Sequence, residues 1–167
     1  MVAPIFILAP LLLAIAMGEA ACTFYGEHPA RSMAETTGGE GMERMFWKNV
    51  QMANWVQVER SLATNYSGTT PAGAQDRAAA LDQYRGWQVN DFTLGDVRTE
   101  LNGSTIVVTY TITLNGASRN GASNPAANSA SGGPAGPQPL PSSPQHMMTV
   151  WQQQKAGWVV IAHSVAP

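Results

Sequence analysis

Residues 105–114, TIVVTYTITL, alternate more strictly than any other stretch of this chain. Ile106, Val108, Tyr110, Ile112 and Leu114 fall on one side of an extended backbone, and Val107, Thr109, Thr111 and Thr113 on the other. Successive strand side chains point to opposite faces, so this pattern predicts a strand buried on one face and excludes a helix. The preceding Asn102-Gly103 is a two-residue hairpin signal, because both residues accept the positive φ that such turns need. The chain before it is therefore expected to return as an antiparallel partner. There Phe92 and Leu94 are apolar at even positions, Val97 and Leu101 at odd ones. A one-residue β-bulge at Gly95-Asp96 accounts for the slip and bends the strand.

A second hairpin, residues 145–165, closes the chain. Its strands meet at Lys155-Ala156-Gly157, with Trp151 before the turn and Trp158 after it. A turn centred on Ala156 sets His163 opposite Thr149. Val159, Ile161, His163 and Val165 alternate onto one face; Trp158, Val160 and Ala162 take the other. A strand apolar on both faces needs cover on both. A homodimer through the face carrying Thr109, Thr111, Trp158 and Val160 is the expected source of that cover.

Helical patterning precedes the strands. Residues 42–66 contain neither proline nor glycine, and Met45, Met52, Val56, Glu59 and Ala63 follow helical spacing, widened by Phe46 and Ala53. The pattern predicts one long helix, stopped by Ser67-Gly68. The TTPAG stretch at 69–73 is turn chemistry. Asp76 is placed to cap a second helix over 77–86, with Ala78, Leu81 and Tyr84 or Arg85 inward. Helices followed by strands predict an α+β fold, its N-terminal helices packed on a strongly bent antiparallel sheet.

The remaining segments differ in kind. Residues 115–145 hold six of the chain's eleven prolines, five of its sixteen glycines and one charge, Arg119. Such a stretch buries too little apolar surface to fold alone and reads as a disordered insertion. Val2 to Met17 is almost wholly apolar and leads into Gly18-Glu19-Ala20-Ala21, the shape of a signal peptide over 1–21. Pro4, Pro10 and the shortness of the run argue against a spanning helix. The expected destination is export, periplasmic or secreted. Cys22 is the single cysteine, so no intrachain disulfide forms. It follows Ala20-Ala21 as in a bacterial lipoprotein box, and membrane attachment is expected only if Cys22 is lipidated. Residues 22–41 read as a flexible tether, leaving 42–166 as the domain.

Composition excludes several partners. A formal charge of −2 with 12% charged residues gives no basic stripe for nucleic acid. There is no GxSxG, no glycine-rich phosphate loop and no HExxH or CxxC spacing, so no cofactor and no metal is expected. His28 falls in the tether, and His146 lies along the hairpin ladder from His163 rather than beside it.

In order, ERSLATNYSGTTPAG, DRAAALDQYRG, LNGSTIVVTYTI and KAGWVVIAHS resemble the nuclear-transport-factor-2-like superfamily, and within it bacterial SnoaL-like domains. The resemblance implies a cone: a curved sheet wrapped on helices, a pocket at the wide end, and often a dimer. The superfamily includes isomerases, polyketide cyclases, dehydratases and members that only bind or dimerise, so the fold does not decide the function. His163 is the candidate general base or ligand anchor. Trp55, Tyr66, Tyr84 and Tyr110, with Trp87, are candidates to line an apolar cavity with polar tips. Asp91 and Asp96 flank the bent strand and read as strand-start and bulge residues. Arg85 and Arg98 read as solvated, or as partners of Asp82 and Glu100.

Three functions stay open: holding a small apolar or amphipathic molecule in the cone; isomerase, cyclase or dehydratase chemistry with His163 as base; or a structural dimerisation module with a plugged cone. The cavity discriminates between them. An open cavity with a carboxylate near His163 points to catalysis, an open one without it to binding, and one filled by Trp55, Tyr84 and Tyr110 to the module.

Overall fold

The computed structural model describes residues 33–119 and 136–166, all within one compact unit, residues 31–167. The expected signal peptide, most of the tether and the middle of the Pro/Gly-rich insertion lie outside the described residues. The elements run α1 (Met33–Gln51), α2 (Trp55–Ser61), β1 (Leu62–Thr70), β2 (Gly73–Asp76), α3 (Arg77–Gly86), β3 (Trp87–Asn102), β4 (Thr105–Ser118), β5 (Gln138–Pro139), β6 (Gln145–Gln154) and β7 (Gly157–Ala166). The class is α+β as expected. Among the described residues no helix is long and apolar enough to cross a membrane.

The long helix expected over 42–66 is three elements. α1 starts at Met33, inside the stretch read as tether, and its Gly39 lies against the sheet. A Cβ there would come within 2.6 Å of the Thr99 side chain and 3.1 Å of Val108. The helix closes in a Schellman motif: the Asn54 N–H donates to the Asn49 carbonyl at 2.8 Å and the Ala53 N–H to that of Val50 at 3.0 Å. Ala53 takes the left-handed conformation this needs, φ 54°. Glycine is the usual residue there, and its absence is why the break is not visible in the sequence. Residues from Leu62 on then form a strand.

α1 also presents a different face from the expected one. Met45, Met52 and Val56 are exposed, whereas Glu43, Phe46, Trp47 and Val50 are buried. The true stripe includes a glycine and a glutamate, which hid it. α3 follows expectation: the Asp76 carboxylate accepts from the Ala79 N–H at 2.8 Å, and Leu81 and Tyr84 are buried, joined by Ala80 rather than Ala78.

The sheet runs β2-β1-β7-β6-β4-β3, with β5 beside β4. It is mixed rather than wholly antiparallel, because β1 lies parallel to β7. The β3–β4 ladder slips between Gly95 and Arg98, with Asp96 at φ 50°; this is the expected bulge. The two-residue turn is Gly103-Ser104, one position later than expected, since Asn102 already pairs with Thr105. Positive φ falls on Gly103 alone of the two, the type II′ arrangement. All of Ile106, Val108, Tyr110, Ile112 and Leu114 are buried.

The closing hairpin turns at Lys155-Ala156, and Thr149 pairs with His163 as expected. A bulge changes its facing. Trp151 pairs with Val160 but Val150 with Ala162, so Ile161 is extra. Val160 and His163 therefore both point inward, at 1% and 6% exposure, and Trp158 packs on the core. The expected dimer face is corrected accordingly: Thr109 and Thr111 face out, while Trp158 and Val160 do not. The insertion is also narrower than expected. β4 continues to Ser118, β5 pairs with Ala117 and Ser118, Leu140 is buried, and its N–H donates to the Gly116 carbonyl at 3.0 Å.

Candidate functional site

Inward side chains from α1, α3, β4, β6 and β7 meet in the hollow of the curved sheet. α1 delivers Glu43, Phe46 and Trp47, one helical turn of a single face. The strand period delivers Tyr110 from β4, Thr149 and Trp151 from β6, and His163 from β7. Every one of these residues is buried.

Their polar atoms form two neighbouring sets of hydrogen bonds, one around Tyr110 and one between Trp151 and Glu43. The Trp47 Nε1–H donates to the Tyr110 hydroxyl at 3.0 Å. That hydroxyl lies 3.4 Å from Thr149 Oγ1 and 3.4 Å from His163 Nε2. The other imidazole nitrogen, Nδ1, is hydrogen-bonded to the Tyr84 hydroxyl at 2.9 Å. The Trp151 Nε1–H donates to Glu43 Oε1 at 2.6 Å. Glu43 Oε2 has no hydrogen-bond partner among the described residues.

Burial governs the protonation of this group. It pushes the Glu43 carboxyl up to about 7, against the lowering effect of its polar neighbours, the Trp151 donor first and then Tyr110 and Thr149. It holds the His163 imidazole down at about 4. Burial also raises the Tyr84 and Tyr110 hydroxyls above their usual range and takes Tyr66 to about 12. Near neutral pH His163 is therefore uncharged and Glu43 is close to its midpoint.

Aromatic rings fill the space around the group. The Phe46 ring meets Tyr84 edge-on at 5.5 Å, and Trp47 stacks on Trp87 at 6.3 Å. What remains is a slot of about 20 Å³, lined by Tyr66, Gln75, Gln83, Tyr84, Trp87 and His163 among others. Gln75 Nε2 donates to Gln83 Oε1 across it at 2.5 Å. A void of this size holds about one water, whereas ligand pockets run to several hundred Å³.

The structure thus brings together Tyr66, Tyr84, Tyr110 and His163 of the expected lining residues. Trp55 does not join them; it is half-buried at the start of α2 and packs at the edge of the core. The carboxyl near His163 is neither Asp91 nor Asp96, both of which are exposed. It is Glu43, which sequence reasoning missed. The signal was present: a lone acid one turn before the Phe46-Trp47 pair, on a face otherwise apolar. Arg85 pairs with Glu59 at 3.3 Å and with Asp82 at 3.6 Å. Among the described residues no three His, Cys, Asp or Glu side chains gather as metal ligands.

The opposite face of the same strands carries a larger, open groove of about 510 Å³. Thr109 and Thr111 of β4, His146 and Met148 of β6, and Ser164 and Ala166 of β7 line it, with Asp96 and Arg98 at the β3 bulge. His146 and His163 therefore work on opposite sides of the sheet.

No protein-family profile matches the chain. No curated protein matches it either. Solved structures do. An NTF2-like protein from Cytophaga hutchinsonii superposes with a TM-score of 0.61 at 15% identity, covering 78% of this chain and 95% of that one. A Streptomyces avermitilis protein, provisionally described as a dehydratase of the NTF2-like family, gives 0.55 at 19% identity, covering 80% and 95%. An Exiguobacterium sibiricum protein, provisionally described as a calcium/calmodulin-dependent kinase II association domain, gives 0.57 at 12% identity, covering 85% and 97%. The helices, the curved mixed sheet and these superpositions together show that this chain has the NTF2-like fold.

Proposed function

We propose that this domain is an association module whose hollow serves as its own core and whose working surface is the outer face of the sheet. The observation that carries this reading is the filling of the hollow by Phe46, Trp47, Tyr84, Tyr110 and Trp151, which leaves about 20 Å³. That is far below the several hundred Å³ of a small-molecule pocket, which favours this reading over a small apolar or amphipathic ligand held in the cone. The outer groove supports the second half of the reading. It carries Met148 at 40% exposure on a central strand, and no helix among the described residues covers it. The partner proposed is a second copy of this chain, and the fold shared with a protein described as an association domain is consistent with that. Sedimentation equilibrium tests it: a dimer at high micromolar concentration is expected for the wild type, and a monomer throughout counts against the reading.

A second reading is acid–base catalysis of the isomerase, cyclase or dehydratase kind, with His163 as base. The Glu43–Tyr110–His163 group favours it, since two titratable side chains with opposite shifts share one enclosure. It requires Trp87 and Gln83 to move aside for a substrate. Mass spectrometry of material carried through purification distinguishes the readings: a stoichiometric small molecule supports a working pocket, and none supports the filled core. We further propose export through the apolar run Val2 to Met17, with membrane attachment if Cys22 is lipidated; the mass of the mature N-terminus tests both.

A further inference from the structure

Glu43 and His163 are the two buried side chains of the described residues that can carry a formal charge near neutral pH. They lie in one enclosure, His163 bonded to Tyr110 and Tyr84 and Glu43 to Trp151. The Tyr110 hydroxyl is 3.4 Å from His163 Nε2, and the Glu43 carboxyl is among its electrostatic neighbours. The groups facing the pair are all uncharged: Tyr110 from β4, Thr149 and Trp151 from β6, Tyr84 from α3, and Phe46 and Trp47 from α1. Among the described residues the salt bridges are made elsewhere, by Arg44, Arg77 and Arg85. Glu43 has one neutral donor on Oε1 and nothing on Oε2. A carboxylate so placed is poorly compensated, and so is an imidazolium between two phenols.

We infer that Glu43 and His163 hold a single proton between them, and that folding moves this proton from the imidazole to the carboxyl without changing the count. In the unfolded chain between about pH 4.5 and 6.5, glutamate has lost its proton and histidine has kept one. In the folded domain over the same range, Glu43 keeps its proton, up to about 7, and His163 has lost one, being held at about 4. One proton is bound in each state. Stability depends on pH only where the two counts differ. The two effects have opposite signs. The raised Glu43 makes the fold less stable as pH climbs from 4.5 to 7. The lowered His163 makes it more stable as pH climbs from 4 to 6.5. Together they cancel, so the core is indifferent to acidification across a range in which either group alone would respond to it.

The test is equilibrium unfolding of the full chain by urea from pH 4 to 8, for the wild type, Glu43→Gln, His163→Gln and the double variant. Ratios of unfolding constants to the wild type remove the contributions of all other groups. For Glu43→Gln, the wild-type to variant ratio is expected to rise about a hundredfold between pH 4.5 and 7. For His163→Gln it is expected to rise about as much in the other direction, from pH 6.5 down to 4. The double variant should run parallel to the wild type. Ratios that stay flat, or that tilt the same way for both single variants, overturn the inference. If a variant does not fold, carbon-13 titration of the wild type decides. A glutamate carboxyl moving near pH 7, with a histidine silent above pH 5, supports the inference; ordinary midpoints for both overturn it.

Discussion

Met147 and Met148 are neighbours in the chain and stand on opposite sides of one strand. Met147 is 7% exposed and points into the hollow; Met148 is 40% exposed and points into the outer groove. The residues around each differ as much. Inside, the same three strands supply Tyr110, Thr149 and His163, linked by hydrogen bonds and enclosed by aromatic rings. Outside, they supply Thr109, Thr111, His146 and Ser164 around an open groove. The contrast is what the proposed association surface rests on. In this fold the concave side is the obvious place for a ligand, yet here that side is a packed core with a proton-sharing pair in it. The uncommitted surface is the other one.

The contrast is easiest to break at Trp47. Trp47→Ala removes a fully buried ring and leaves the Tyr110 hydroxyl without its donor. It is expected to cost about 3–5 kcal/mol, while Thr111→Ala on the outer face stays within about 0.5 kcal/mol. Urea unfolding of both variants checks this, and equal costs would erase the distinction between the faces. Tyr110→Phe probes the inner polar group alone. It strands the Trp47 Nε1–H, which donates to the Tyr110 hydroxyl, for an expected loss of about 1–3 kcal/mol by the same assay.

Ala53→Gly sharpens the account of why α1 shows its Glu43–Trp47 face. With φ at 54°, glycine relieves left-handed strain and is expected to raise stability by about 0.5–1 kcal/mol, read as a higher urea midpoint. The smallest effect on folding is expected from Met148→Asp. It leaves the urea midpoint within about 0.5 kcal/mol but places a charge in the outer groove. Its self-association, measured by sedimentation, should weaken at least tenfold.

These positions also show which features of the molecule are written locally in its sequence and which are not. β4 was legible from residues 106–114 because a period of two survives any tertiary context that buries one face. The bulge at Gly95-Asp96 was legible because a phase slip requires one extra residue in the strand, and the glycine marks where the backbone takes it most easily. The end of α1 was not, because Ala53 adopts a glycine-like conformation without being glycine. The inward turn of His163 and Val160 together was not, because the Ile161 bulge lies in a run apolar on both faces, where a slip leaves no pattern to detect. His163 and three of its tyrosine neighbours were found as individuals. Glu43 was missed, since helical periodicity counts an acid as an outward residue, and a buried one is betrayed only by its partners across the sheet. The filling of the hollow is a property of volumes that meet from five separate elements, and no local pattern reports it.

The methyl resonances of Met147 and Met148 test the two-faced account most directly. On raising the wild-type protein from low to high micromolar concentration, the Met148 methyl is expected to shift and broaden while that of Met147 stays fixed. A Met148 signal indifferent to concentration, with a Met147 signal that moves when a small apolar molecule is added, would place the working surface inside the hollow and contradict the account.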